Sequence, residues 1–314
     1  MIRAPFRGVS EVERKLKASD EEEEKEEGGN ESTTTTMAST DTSMVESFYI
    51  ESRDGTRLHA HFYKFPSDGR YALVKDNKWS KSRDKGKNAH TTPNASSTPT
   101  ILFFHGTSGN IGHRIGYAHT LSTICQCNVM LLNCRGYGLS DGHAHSKGIR
   151  EDSQAGLEYL LTKRMDVDRE NVFVLGQSMG GAIAIDLAMR NLGRIKGMII
   201  DNTFTRIADL VPEVLPPFSH LRDYLTEDWD SLGAIERASR DKSFPHCLFL
   251  IGDKDELINS RNGKELYRAA VEAEGSKGKE VRMLLFKYGF HVHTFKEPFY
   301  FDAISQFINE VINE

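Results

Sequence analysis

The segment from Val172 to Met189 constrains this chain more than any other. Val172-Phe173-Val174-Leu175 is a short apolar run of the kind buried on both faces of a parallel sheet. Gly176-Gln177-Ser178-Met179-Gly180 follows at once, and Ala182 to Met189 is small and apolar, as suits a helix packed on a sheet. A strand that ends in Gly-x-Ser-x-Gly and passes directly into a helix must turn sharply at the serine. Glycines two residues to either side are needed because strand and helix pass too close there for a Cβ atom. The turn lifts the hydroxyl off the sheet edge beside a helix N-terminus, where unpaired N–H groups favour an oxyanion. The pattern alone recurs by chance; its place between strand and helix makes Ser178 a candidate nucleophile.

The rest of the chain supplies the sheet such a turn requires. Phe48 to Tyr63 holds two alternating runs joined around Asp54-Gly55, which predicts a hairpin. Strands are then expected at Ile101–His105, Val129–Asn133, Val172–Leu175, Gly197–Asp201, Cys247–Ile251 and Val281–Phe286. Helices are expected at Ile111–Cys125, Gly148–Arg164, after the elbow, at Gly263–Ala273 and at Phe299–Val311, with Pro298 suited to the first turn of the last. This alternation predicts an α/β fold: a mostly parallel central sheet, helices on both faces, an antiparallel hairpin at one edge and a small cap segment.

Three stretches stand outside that rhythm. Residues 1–46 are acidic and poor in aromatics, with every residue from Asp20 to Glu27 acidic except Lys25, and read as a disordered tail ahead of a domain spanning 47–314. Residues 66–99 are polar and basic and read as an inserted surface loop longer than ordinary connections. Residues 204–244 carry a proline-broken apolar run from Val211 to Phe218, readable as a surface helix pair or as a cap over an acyl pocket.

The net charge of −5 leaves no basic footprint for nucleic acid. Cys125, Cys127, Cys134 and Cys247 form no CxxC, and they read as reduced core thiols of a cytoplasmic protein. Met1 to Arg7 lacks an apolar leader, Ile2 excludes N-myristoylation, and no window approaches the ~20 apolar residues of a membrane span. No cofactor or metal is expected: the His-x-His pairs at His143/His145 and His291/His293 lack nearby ligands at metal spacing.

A serine nucleophile needs a base and an acid to orient it, on loops after later strands in the order Ser, Asp or Glu, His. Asp253, Asp255 and Glu256 compete after the strand Cys247–Ile251; Gly-x-x-Asp-x-x-apolar spacing selects Asp255, with Ile258 re-entering the core. His291 and His293 compete after Phe286, and His291 is chosen for its Gly-x-His spacing from Gly289 and its nearness to the strand end. Two backbone donors are expected for an oxyanion, the amides of Met179 and of Thr107 in the loop after Phe104.

Phe104-His105-Gly106, Gly109 to Arg114, Arg135 to Gly142, Gly176 to Gly181, Asp201 to Thr205 and Trp229-Asp230-Ser231, with Asp255 and His291, resemble the alpha/beta hydrolases of the bud-emergence (Bem-type) group. The resemblance runs from about residue 48 to the C-terminus. It implies the alpha/beta-hydrolase fold and a serine hydrolase acting on lipid-like, acyl-protein or other small-molecule esters and thioesters, palmitoyl thioesters included. That group usually has Asn at the position of Thr107 and Asp at that of His293, and commonly an N-terminal membrane anchor where this chain has its acidic tail, so attachment at a membrane surface is one implied setting. A serine aminopeptidase, and a non-catalytic binding module on the same scaffold, are the alternative readings.

Overall fold

A computed structural model describes residues 45–66, 98–214 and 229–314, with the side chains of 211–214 excepted. Residues 1–44, 67–97 and 215–228, which hold the acidic block, nearly all of the polar insertion and the middle of the cap-like segment, lie outside the described residues.

The Asp54-Gly55 turn joins β1 (Val45–Glu51) to β2 (Arg57–Tyr63) in an antiparallel pair, with Glu51 opposite Arg57. Gly55 takes φ +84°, a conformation that this tight turn reserves for glycine. β1 begins two residues before the expected domain boundary, with Val45 paired to Tyr63 and Glu46 to Phe62 of β2, and the Arg164 guanidinium also binds Glu46.

Six further strands follow: β3 (Thr100–Phe104), β4 (Asn128–Leu132), β5 (Val172–Gln177), β6 (Gly197–Asp201), β7 (His246–Gly252) and β8 (Val281–Phe286). The sheet order is β1-β2-β4-β3-β5-β6-β7-β8. β3 to β8 run parallel, and β2 meets β4 antiparallel, so the hairpin closes one edge.

Strict alternation along each buried strand builds two cores. Ile101, Phe103, Phe173, Leu175, Ile199 and Leu248 face α1 (Ile115–Cys125) and α7 (Tyr300–Ile312), which pack on each other. Leu102, Phe104, Val174, Met198 and Phe249 face the other layer, made by α2 (Ser146–Thr162), α3 (Met179–Arg190), α5 (Ser231–Ala238) and α6 (Ser260–Glu272). α4 (Ile207–Val214) precedes α5. Ile235 of α5 is fully buried where α5 packs on α3 and α6, so this end of the 204–244 segment belongs to the helical layer.

Helix boundaries depart from the expectation where a cap decides them. Asn110 accepts from the Gly112 N–H and winds Ile111–Arg114 into a 3₁₀ turn ahead of α1. His145 caps α2 through Nδ1, which accepts from the Gly148 N–H, so α2 starts at Ser146. Pro298 does not enter the first turn of α7: Phe299, at φ 68°, is the N-cap and sets the proline outside the helix.

Candidate active site

The elbow forms because two glycines let three backbone segments meet. A Cβ on Gly176 would stand 2.0 Å from the carbonyl oxygen of Gly180, and one on Gly180 would stand 2.0 Å from that of Phe104. Between them Ser178 takes φ 54°, ψ −122°, a conformation L-residues seldom adopt, and serves as the N-cap of α3. Neighbouring backbone holds it there: the Ser178 N–H donates to the Asp201 carbonyl at 2.9 Å, and Thr203 Oγ1 donates to the Ser178 carbonyl at 2.7 Å.

Loops at the carboxyl ends of β7 and β8 bring the other candidates to this serine. His291 Nε2 lies 2.9 Å from Ser178 Oγ, and His291 Nδ1 lies 2.8 Å from Asp255 Oδ2. A carboxylate only accepts, so Nδ1 carries the hydrogen and Nε2 is left to accept from the serine hydroxyl. All three side chains are buried; those of His291 and Asp255 are 3% and 1% exposed. The second carboxylate oxygen of Asp255 accepts from the Leu257 and Ile258 amides at 2.9 and 2.7 Å, which fixes the plane of the group.

The competing acids and histidine stand elsewhere. Asp253 lies partly exposed beside Ser260 and Lys264. Glu256 reaches the backbone rather than the ring of His291, accepting from its N–H at 3.2 Å. His293 is the N-cap of a 3₁₀ turn and sets its ring against Phe295.

Met179 opens α3, and Thr107 follows Gly106, where an added Cβ would lie 3.3 Å from that of Ser178, so the loop after β3 touches the elbow. Burial pushes the His105 imidazole down to about 4, which leaves it neutral, and its Nδ1–H donates to the Gly106 carbonyl at 2.7 Å. In a trans peptide a carbonyl and the following N–H point in opposite directions, so this bond turns the Thr107 N–H away from the His105 ring.

Sequence reasoning gave no role to His105 or to the run Asp201-Asn202-Thr203. Asp201 is fully buried and burial pushes its carboxyl up to about 7, against the opposing hydrogen bond from the Tyr300 hydroxyl at 2.9 Å. Tyr300 meets the Tyr117 hydroxyl at 3.1 Å, which links this carboxyl to α1. In sequence these residues are marked by their place at the carboxyl end of a buried strand, and by lying in two of the segments that carry the family resemblance, Phe104-His105-Gly106 and Asp201 to Thr205.

Among the described residues no group of three or more His, Cys, Asp or Glu is placed to hold a metal ion. The four cysteines are free and buried, and burial raises the thiols of Cys125, Cys134 and Cys247. A groove of about 860 Å³, lined by Tyr49, Arg150, Ala155 and Tyr159, lies between β1 and α2 and does not include Ser178.

Residues 95–243 match the family described as serine aminopeptidase, S33. Protein bem46 of Schizosaccharomyces pombe is 40% identical over 163 residues, 52% of this chain and 53% of that protein, so the match spans about half the length of that relative. The alpha/beta hydrolase domain-containing protein WAV2 of Arabidopsis thaliana is 30% identical over 261 residues, covering 79% of this chain and 73% of the relative. Lysophosphatidylserine lipase ABHD12 of Danio rerio is 26% identical over 279 residues, covering 83% and 69%. An esterase from Pyrococcus furiosus shares the fold with a TM-score of 0.61 at 15% identity, over 90% of this chain and 99% of that one.

Proposed function

The chain belongs to the alpha/beta hydrolase family and to its bem46-like group, and from that premise we propose that it is a serine hydrolase that cleaves ester or thioester acyl bonds through an acyl-enzyme. The observation that carries the reading is the buried, unbroken hydrogen-bond chain from Ser178 Oγ through His291 to Asp255.

In this reading Ser178 Oγ attacks the acyl carbonyl while His291 Nε2 takes its proton. Asp255 keeps the other imidazole nitrogen protonated and stabilises the imidazolium that forms. The amides of Met179 and Thr107 receive the tetrahedral oxyanion, aided by the N-terminus of α3. Collapse breaks the acyl C–O or C–S bond, and His291 returns its proton to the leaving oxygen or sulfur. Water, deprotonated by the same nitrogen, then attacks the acyl-enzyme and restores Ser178.

The named activity of the ABHD12 relative favours lipid-like or other small acyl substrates; acyl-protein thioesters would draw on the same groups. No helix among the described residues is long and apolar enough to cross a membrane. The setting we propose is the cytoplasm or a membrane surface, a reading supported by the four free, buried cysteines. Amide cleavage is the second reading, favoured by the description of the matched family. A binding module without activity is disfavoured by the intact Ser178–His291–Asp255 chain.

A panel of short- and long-chain p-nitrophenyl esters, palmitoyl thioesters, lysophospholipids and aminoacyl amides separates these readings, with Ser178→Ala as the control. Turnover of esters or thioesters that disappears in Ser178→Ala is expected. Turnover confined to amides would replace the acyl-ester reading, and turnover retained by Ser178→Ala would refute the nucleophile.

A further inference from the structure

We propose that Asn202 is a positioning residue: one buried side-chain amide that ties the backbone of the His291 loop to the strand leading to Asp255, and so sets the imidazole between acid and nucleophile. The inference rests on the roles given above to Ser178, His291 and Asp255.

Asn202 follows β6 at φ 44°, a left-handed conformation that asparagine tolerates better than most residues, and is 5% exposed. Its Nδ2 donates to the His291 carbonyl and to Thr294 Oγ1, each at 2.8 Å, and lies 3.3 Å from the Phe290 carbonyl. Its Oδ1 accepts from the Gly252 N–H at 2.7 Å. Gly252 is the last residue of β7, three before Asp255. The donor end of one planar amide therefore grips the base loop while the acceptor end grips the acid strand.

The flanking residues complete the arrangement. The Asp201 carbonyl and the Thr203 hydroxyl hold the N–H and the carbonyl of Ser178. Three consecutive residues thus touch the backbone beside all three members of the proposed triad. With its N–H donated to Glu256 and its carbonyl bound by Asn202, His291 has both backbone polar groups fixed. Only its side-chain torsions remain, and the bonds to Asp255 and Ser178 set those. The Phe290 carbonyl also accepts from the Thr294 hydroxyl and from the Thr294 and His293 N–H groups, so the His291 carbonyl is the one that depends on the amide. Without Asn202 it loses this buried donor and the loop moves to satisfy it. A base displaced by about 1 Å is expected to slow the chemistry by ~100-fold.

Two full-length variants test this. Asn202→Gly keeps the left-handed backbone and deletes the amide. Asn202→Asp keeps the acceptor for Gly252 but turns an oxygen toward the oxygens of Phe290, His291 and Thr294. Three readouts are needed: the saturating rate and half-saturation of phosphonylation by a fluorophosphonate, the low-field proton resonance of His291 Nδ1–H, and the melting transition. Both variants are expected to melt cooperatively, to react about 100-fold more slowly at saturation with unchanged half-saturation, and to shift or lose the Nδ1–H resonance. A wild-type rate in either folded variant would overturn the proposal. So would loss of cooperative melting in both, which would assign Asn202 to the fold alone. Failure of the wild type to react refutes the nucleophile instead; an Nδ1–H resonance then identical in wild type and Asn202→Gly would refute Asn202 separately.

Discussion

Ser178 holds its unusual backbone because the residues two before and two after it have no side chain, and the resulting turn offers no spare volume. Replacing Gly176 by Ala sets a Cβ against backbone rather than a movable side chain. That variant is expected to lose more than about 4 kcal/mol of stability, the range reserved for severe steric lesions; a urea midpoint near the wild type would contradict this. Asp255→Asn acts differently. It keeps the shape but leaves an amide facing Nδ1, so the imidazole turns to the wrong tautomer, and kcat is expected to fall by roughly 10³–10⁴ with KM little changed. An effect confined to KM, with kcat unchanged, would remove Asp255 from the proposed chemistry. Ser178, Asp255 and His291 can be picked out of the sequence because each follows an apolar strand at a spacing that fixes where its side chain emerges. The role of Asn202 cannot, because its partners, the His291 carbonyl, the Thr294 hydroxyl and the Gly252 N–H, lie 89, 92 and 50 residues away and are mostly backbone groups, which leave no trace in side-chain pattern.

Elements are tied together by few but deeply buried groups, and Arg135 is the plainest case. Its side chain is 6% exposed; it donates to the fully buried Asp152 of α2 at 2.8 Å and to Asp54 in the hairpin turn at 2.7 Å. It therefore joins the loop after β4, the helix α2 and the edge hairpin. Arg135→Met leaves the carboxylate of Asp152 buried without its partner and is expected to cost about 3–5 kcal/mol. Adding Asp152→Asn should recover much of that loss, and a double variant no more stable than the single one would contradict the assignment. Element types were readable from periodicity because parallel strands buried on both faces appear as continuous apolar runs. Their ends were less so: His145 caps α2 although histidine is not a usual cap, and Phe299 takes a left-handed conformation rarely seen in a bulky residue.

At the scale of the whole molecule, alternation of strands and helices implies a parallel sheet but not the order of its strands. β4 lies between β2 and β3 because pairing is decided by contacts far apart in sequence, which local pattern does not encode. The sheet so ordered buries titratable groups whose effects on stability oppose one another. Asp201, pushed up to about 7 from 3.8, keeps a proton in the folded state that the unfolded chain releases between pH 4 and 7. Its contribution is therefore fully present below pH 4 and is lost as pH rises to 7. His105 and His246, pushed down by burial to about 4 from 6.5, are neutral where the unfolded chain is protonated, so their contribution rises with pH between 4 and 6.5. Asp201→Asn removes the falling component, and its stability relative to wild type is expected to climb steadily from pH 4 to 7 in urea titrations. A difference independent of pH would contradict the buried, shifted carboxyl.

The central claim is that this sheet exists to present one activated serine, and the most direct measurement is the site of covalent capture. Full-length protein treated with a fluorophosphonate and digested for mass spectrometry should carry a single phosphonyl adduct on Ser178, absent from Ser178→Ala and formed far more slowly in His291→Ala. An adduct on any other residue, or none on wild-type protein that melts cooperatively, would contradict the account.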